Sequence, residues 1–108
     1  MWICANKGFI SVVAIAGEPD HLSVRGRFRG DIERLFPDAD VIESEKTLYR
    51  YRAIVSRSAF NEVLGRLATA IDYTNFKDSV ESDELHRMYF DFWVVAHHAQ
   101  AKTPEPSG

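Results

Sequence analysis

Apolar positions follow three patterns along the chain. Between Trp2 and Ile15 they form nearly unbroken runs on either side of Asn6-Lys7-Gly8. Around Val24–Arg29 and Tyr49–Val55 they alternate with arginine, and from Phe60 onward they recur every three or four residues. The first pattern predicts a hairpin of Trp2–Ala5 against Phe9–Ile15, with the second strand apolar on both faces and therefore covered. Asn and Gly tolerate the positive φ of tight hairpin turns, which places the turn at 6–8. Gly17-Glu18-Pro19-Asp20 reads as the next turn.

The alternating stretches predict two strands, His21–Arg29 and Leu48–Val55. Side chains on a strand point to the two faces in turn. Arg25, Arg27 and Arg29 then share one face, as do Arg50 and Arg52, while Val24, Phe28, Tyr49 and Tyr51 turn the other way. These five are most of the nine arginines of the chain. Between the two strands, Gly30-Asp31 starts a short helix with Ile32, Leu35 and Phe36 on one side, and Pro37 stops it. Val41–Glu45 reads as a short strand near an edge, because Glu43 and Glu45 share a face.

Helical spacing governs the second half. Ser58 is a suitable N-cap for a helix whose apolar face carries Phe60, Val63, Leu64, Leu67, Ala68 and Ile71. Gly65 inside that helix costs roughly 1 kcal/mol against alanine and points to close packing on the sheet. Residues 72–80 have no period and read as a loop anchored by Tyr73 and Phe76. Ser82-Asp83-Glu84 opens the last helix, with Leu85, Met88, Tyr89, Phe92, Trp93 and Ala96 as its stripe. The expected fold is α+β: a mostly antiparallel sheet with two longer helices and one short helix on one face, a ferredoxin-like variant being one such arrangement. Residues 1–100 form a single domain, and 101–108, with two prolines, a flexible tail.

Charge changes the picture more than size does. The 108 residues suffice for one domain with its own core, and 45% apolar with 27% charged residues is an ordinary globular balance. A formal net charge of −3 leaves no whole-protein basic field, so any nucleic-acid role must rest on a local patch. The single cysteine, Cys4, excludes an internal disulfide and a cysteine-based zinc site. Its apolar neighbours suggest burial. No apolar run reaches membrane-spanning length, and the N-terminus lacks a signal-peptide pattern, so the expectation is a cytoplasmic protein with no membrane association.

Catalytic and metal chemistry find little support. His86 and His97 would lie roughly 16 Å apart along a helix, too far for one ion. No serine sits in a nucleophile elbow, and no phosphate-loop spacing occurs. No cofactor or metal is expected. The chemistry that does stand out is cationic. A guanidinium is a permanently charged planar fork of donors suited to phosphate and carboxylate. Arg25, Arg27, Arg29, Arg50 and Arg52 are therefore candidate binding residues. The plainer account pairs them with Glu43, Glu45 or Asp31, or leaves them as a solvated face. The loop residues Tyr73, Asn75, Phe76 and Lys77 form a second candidate patch, since long aperiodic loops are often functional.

The order of Met1-Trp2, Lys7-Gly8-Phe9-Ile10-Ser11, Val24-Arg25-Gly26-Arg27, Tyr49-Arg50-Tyr51-Arg52-Ala53 and Asp72-Tyr73-Thr74-Asn75-Phe76-Lys77 resembles a family of small single-domain bacterial proteins of uncharacterised function. The resemblance covers nearly the whole chain except the tail. It implies a stand-alone protein and supplies no catalytic or ligand residue. The leading expectation is a small non-catalytic binding protein that meets an anionic partner, nucleic acid or an acidic protein surface, through its arginine face. Two alternatives stand beside it. One is an inhibitor or regulator, of the kind carried by mobile elements against host defences, acting by protein contact around Phe90 and Trp93. The other is a small enzyme with a pocket near His86 or Glu43. A homodimer through an exposed sheet edge is a further expectation.

Overall fold

The computed structural model describes residues 1–104. Strands β1 (Trp2–Ala5) and β2 (Gly8–Ile15) form the expected hairpin, with Ala5 paired to Gly8 across Asn6-Lys7. No residue of that turn takes positive φ. Gly8 is instead required by packing: a Cβ there would meet the Asp31 carbonyl oxygen at 3.0 Å. The next turn is Ala16-Gly17, with Gly17 at φ 77°. Pro19 and Asp20, expected in that turn, already belong to β3 (Glu18–Gly26).

Helix α1 (Asp31–Leu35) starts after Gly30 and ends just before Pro37, as the sequence predicts. Strand β4 (Ile42–Glu43) is shorter than expected, and β5 (Tyr51–Ser56) starts three residues later than expected. Helix α2 (Arg57–Thr69), a 3-10 turn (Lys77–Ser79) and helix α3 (Asp83–Lys102) complete the chain. The tail expected from residue 101 therefore begins inside α3, and 105–108 lie outside the described residues. The sheet is antiparallel throughout, in the order β1-β2-β3-β5-β4. This is the expected α+β class with two longer helices and a short one. It is not the ferredoxin-like variant, because β1, β2 and β3 follow one another through tight turns with no crossover helix.

The placement of the helices follows from β2. Ile10 and Val12 pack with Leu22, Val24, Ala53 and Val55 of the neighbouring strands and with Ile32, Leu35, Phe60 and Val63 of α1 and α2. Phe9, one residue out of phase with Ile10, points to the opposite face. There it packs with Val80, Leu85 and Tyr89, and with the partly buried Phe28, Phe76 and Phe92. The helices thus flank the sheet, α1 and α2 on one side and α3 on the other, rather than sharing the one face expected. A strand apolar on both faces demands two covers, and α3 is the second.

Both covers grip the hairpin turn. Asp31, fully buried, accepts the Phe9 N–H at 3.1 Å and an Arg34 guanidinium N–H, while Arg34 also donates to the Lys7 carbonyl. Burial pushes the Asp31 carboxyl up, against the lowering pull of the Phe9 N–H and the Arg34 charge. From the other side the Tyr89 hydroxyl faces the carbonyls of Ala5 at 2.8 Å and Gly8 at 3.1 Å. Burial raises the Tyr89 phenol far above its ordinary range, so it stays a donor.

Helix α2 is capped by Ser56, not Ser58: the Ser56 hydroxyl accepts the Ala59 N–H at 3.1 Å. The last residue of β5 is thus the cap, with no connecting loop. Phe60 and Val63 face the core, whereas Ile71 lies past the helix end and is 57% exposed. Gly65 does not pack against the sheet. It is exposed, and a Cβ there would meet nothing within 4 Å. Gly65→Ala is therefore expected to stabilise the protein by about 0.5–1 kcal/mol in urea denaturation, through helix propensity alone. A loss of stability would mean that Gly65 has a packing role the structure does not show.

Candidate cationic interface

The arginines divide according to where strands end. β3 stops at Gly26, so only Arg25 lies on it, and Arg27 and Arg29 occupy the following turn. β5 starts at Tyr51, so only Arg52 lies on it, and Arg50 precedes it. Arg25 and Arg52 are direct cross-strand partners. The pairings continue outward from them. Trp2, Ser11, Arg25, Arg52 and Ile42 form one row across all five strands, on the face that α3 only partly covers. At about 4.8 Å per strand this row spans roughly 19 Å. Val13, Ser23 and Ile54 form the next row, with Val13 and Ile54 exposed.

Like charges set opposite each other on a sheet repel. Arg25 and Arg52 are each half-buried, and among the described residues no carboxylate oxygen lies within 4.0 Å of either. Arg25 donates to the Ser11 hydroxyl at 2.9 Å, and Ser11 itself is buried. Among the described residues, the Nε–H groups of both arginines are buried without an acceptor. An orphaned donor of this kind costs on the order of 1–3 kcal/mol.

Tyr49 offsets part of that cost. The Arg25 and Arg27 guanidiniums lie 4.4 and 4.3 Å from its ring centroid. Alternation predicts this tyrosine on the opposite side from the arginines, but it precedes β5 and its ring lies against them. Tyr51, which is in the strand, does turn into the core away from Arg52. Burial alone would push the Tyr49 phenol up. The Ser11 hydroxyl, the Arg27 charge and the Trp2 indole outweigh it and bring the phenol below its ordinary value. Arg27 also donates to the Leu48 carbonyl at 3.2 Å.

Arg29 and Arg50 behave as the plainer account expects. Arg29 pairs with Glu43 at 3.2 Å, and Arg50 with Glu45 at 3.2 Å and Glu43 at 3.8 Å. These pairs are solvent-exposed and worth little individually, but they neutralise the β4 edge. Asp31 pairs with Arg34 and not with the arginine row. The cationic set without carboxylate partners is therefore Arg25, Arg27 and Arg52. Trp2, Ser11 and Tyr49 complete it. Sequence reasoning did not single these three out, although Ser11, a lone hydroxyl in an apolar strand, was the visible signal.

The loop residues lie elsewhere, against α3. Phe76 packs on Tyr89 and Tyr73, with ring centroids 5.3 and 5.8 Å away. Asn75 is exposed, and its side-chain oxygen accepts the Asp78 N–H at 3.3 Å. Lys77 holds its ammonium over the rings of Phe90 and Trp93 at 5.7 and 5.4 Å. Cys4 is exposed, contrary to expectation, on the same face of β1 as Trp2. Among the described residues no group of three His, Cys, Asp or Glu side chains could hold a metal ion, and no helix is long and apolar enough to cross a membrane.

No protein-family model, curated protein or solved structure matches the chain. The family resemblance in the motifs rests on their order alone, and any reading of this interface rests on its chemistry.

Proposed function

We propose that the protein is a small non-catalytic binding module that meets an anionic macromolecule with the open face of its sheet, through Arg25, Arg27 and Arg52. The observation that carries this reading is the opposed Arg25–Arg52 pair. Two half-buried arginines are opposed across neighbouring strands, and among the described residues neither has a carboxylate within 4.0 Å. A bound phosphate or carboxylate neutralises the repulsion between like charges by pairing with the guanidinium forks, which suit either group. Arg27 extends the charge to the strand end, and Trp2, 61% exposed, offers a flat apolar neighbour in the same row.

Heparin-agarose tests this with a defined polyanion. The wild-type protein is expected to be retained at low salt despite its net charge of −3 and to elute as salt rises. The folded Arg25→Gln/Arg52→Gln variant is expected in the flow-through, while Arg57→Gln, away from the row, elutes as wild type. Failure of the wild type to bind, or equal elution of the double variant, contradicts the proposal.

A second reading, a regulator acting through protein contact, is favoured by one observation. Phe90, Trp93 and His97 form a stacked ridge along α3, with Phe90 45% and Trp93 51% exposed. Exposed aromatic clusters are typical contact centres. On this reading Phe90→Ala/Trp93→Ala abolishes co-purification of a protein partner and Arg25→Gln/Arg52→Gln does not; the reverse result removes it.

A further inference from the structure

The groove between the 72–79 loop and α3 touches the arginine row through the Trp2–Phe92 stack but has its own chemistry. It is an open groove of about 530 Å³ lined by Phe76, Tyr89, Phe92, Trp93 and Ala96, with Cys4 contributed by β1. That size and lining match sites for small organic ligands, which are mostly apolar with a few fixed polar groups. The polar residues of its rim are Thr74, Asn75 and Lys77.

The rim is built of donors. Lys77 is the cation, and two aromatic rings hold its ammonium within cation–π range. Among the described residues no carboxylate lies within 4.0 Å of it. Asn75 uses its side-chain oxygen on the Asp78 N–H, which leaves its amide NH2 as the outward group. Thr74 adds a hydroxyl. Cys4 is exposed as a residue, but partial desolvation pushes its thiol up, so it brings no negative charge to the groove. A cationic ligand would face Lys77.

We propose that this groove binds a small amphipathic carboxylate, with its flat apolar body between Phe76, Phe92 and Trp93 and its carboxylate on Lys77 and Asn75. The apolar walls supply the affinity, and the donor rim selects an acid over its neutral analogue. The site does not depend on the arginine row, so the two readings stand or fall separately.

Trp93 serves as the reporter in a Trp2→Phe background, with phenylacetate as ligand and phenylacetamide as its neutral counterpart. Saturable change in tryptophan emission is expected with phenylacetate, and binding roughly tenfold weaker with phenylacetamide, the size of one charge-assisted contact. Lys77→Gln weakens phenylacetate binding by a similar factor and leaves phenylacetamide binding unchanged, whereas Lys77→Arg retains most of the preference. Ala96→Leu, at an exposed position, blocks both ligands. Arg25→Gln/Arg52→Gln binds both as the parent does. Equal affinity for acid and amide, indifference to Lys77→Gln, or no saturable change with phenylacetate overturns the proposal.

Discussion

The turn between Ala5 and Gly8 is gripped from both sides of the sheet, and the rest of the architecture depends on that grip. From one face, Asp31 and Arg34 of α1 bind the Phe9 N–H and the Lys7 carbonyl. From the other, the Tyr89 hydroxyl of α3 reaches the carbonyls of Ala5 and Gly8, more than eighty residues away in the chain. Gly8 suits the first grip, since a Cβ there would press on the Asp31 backbone at 3.0 Å, closer than ordinary van der Waals contact. The Asp31 and Tyr89 contacts are buried, so their partners would otherwise be left unsatisfied. They also fix where α3 lies: over the hairpin end of the sheet, with the middle strands beyond its reach.

That placement produces both candidate surfaces. Because α3 covers Phe9 but not Arg25, Arg52 or Ile54, the arginines of the row stay half-exposed and its far end at Ile42 open. Because α3 continues past its last buried contact, its Phe90–Trp93–His97 side is left exposed, and Lys77 of the preceding turn settles on it. Trp2 links the two regions. Its ring stacks on Phe92 of the groove at 6.0 Å while its backbone pairs with Ser11 of the arginine row. One long helix hung from one end of a sheet accounts for the covered cluster, the cationic row and the aromatic groove together.

Much of the fold was legible in the sequence where local chemistry and periodicity agreed. The hairpin, α1 with its Pro37 stop, the core face of α2 and the Ser82 cap of α3 all belong to that class. That Arg25 and Arg52 each stand on a strand face was legible as well, because alternation holds inside a strand; that they oppose each other was not. It failed at strand ends. Gly26 ends β3 and releases Arg27, Phe28 and Arg29 from the pattern, and Tyr49 lies on the arginine side because pairing starts two residues later. The division of helices between the faces was not legible, since Phe9 and Ile10 are both large and apolar and local sequence does not say which helix meets which. Ser56 displaced Ser58 as the α2 cap for a related reason: the strand runs directly into the helix, and either hydroxyl suits the position.

The clasp on the hairpin turn is tested most directly by amide hydrogen exchange on Tyr89→Phe, which removes one hydroxyl and keeps the ring. The account predicts that amides of α3 from Leu85 to Phe92 exchange roughly tenfold faster, corresponding to about 1.4 kcal/mol for the lost buried bond. Amides of β3 and β5, held by α1 and α2 on the far face, should keep their protection. Unchanged exchange in α3, or equal loss across the whole sheet, would contradict the claim that this hydroxyl fixes α3 to the hairpin and so leaves the arginine row uncovered.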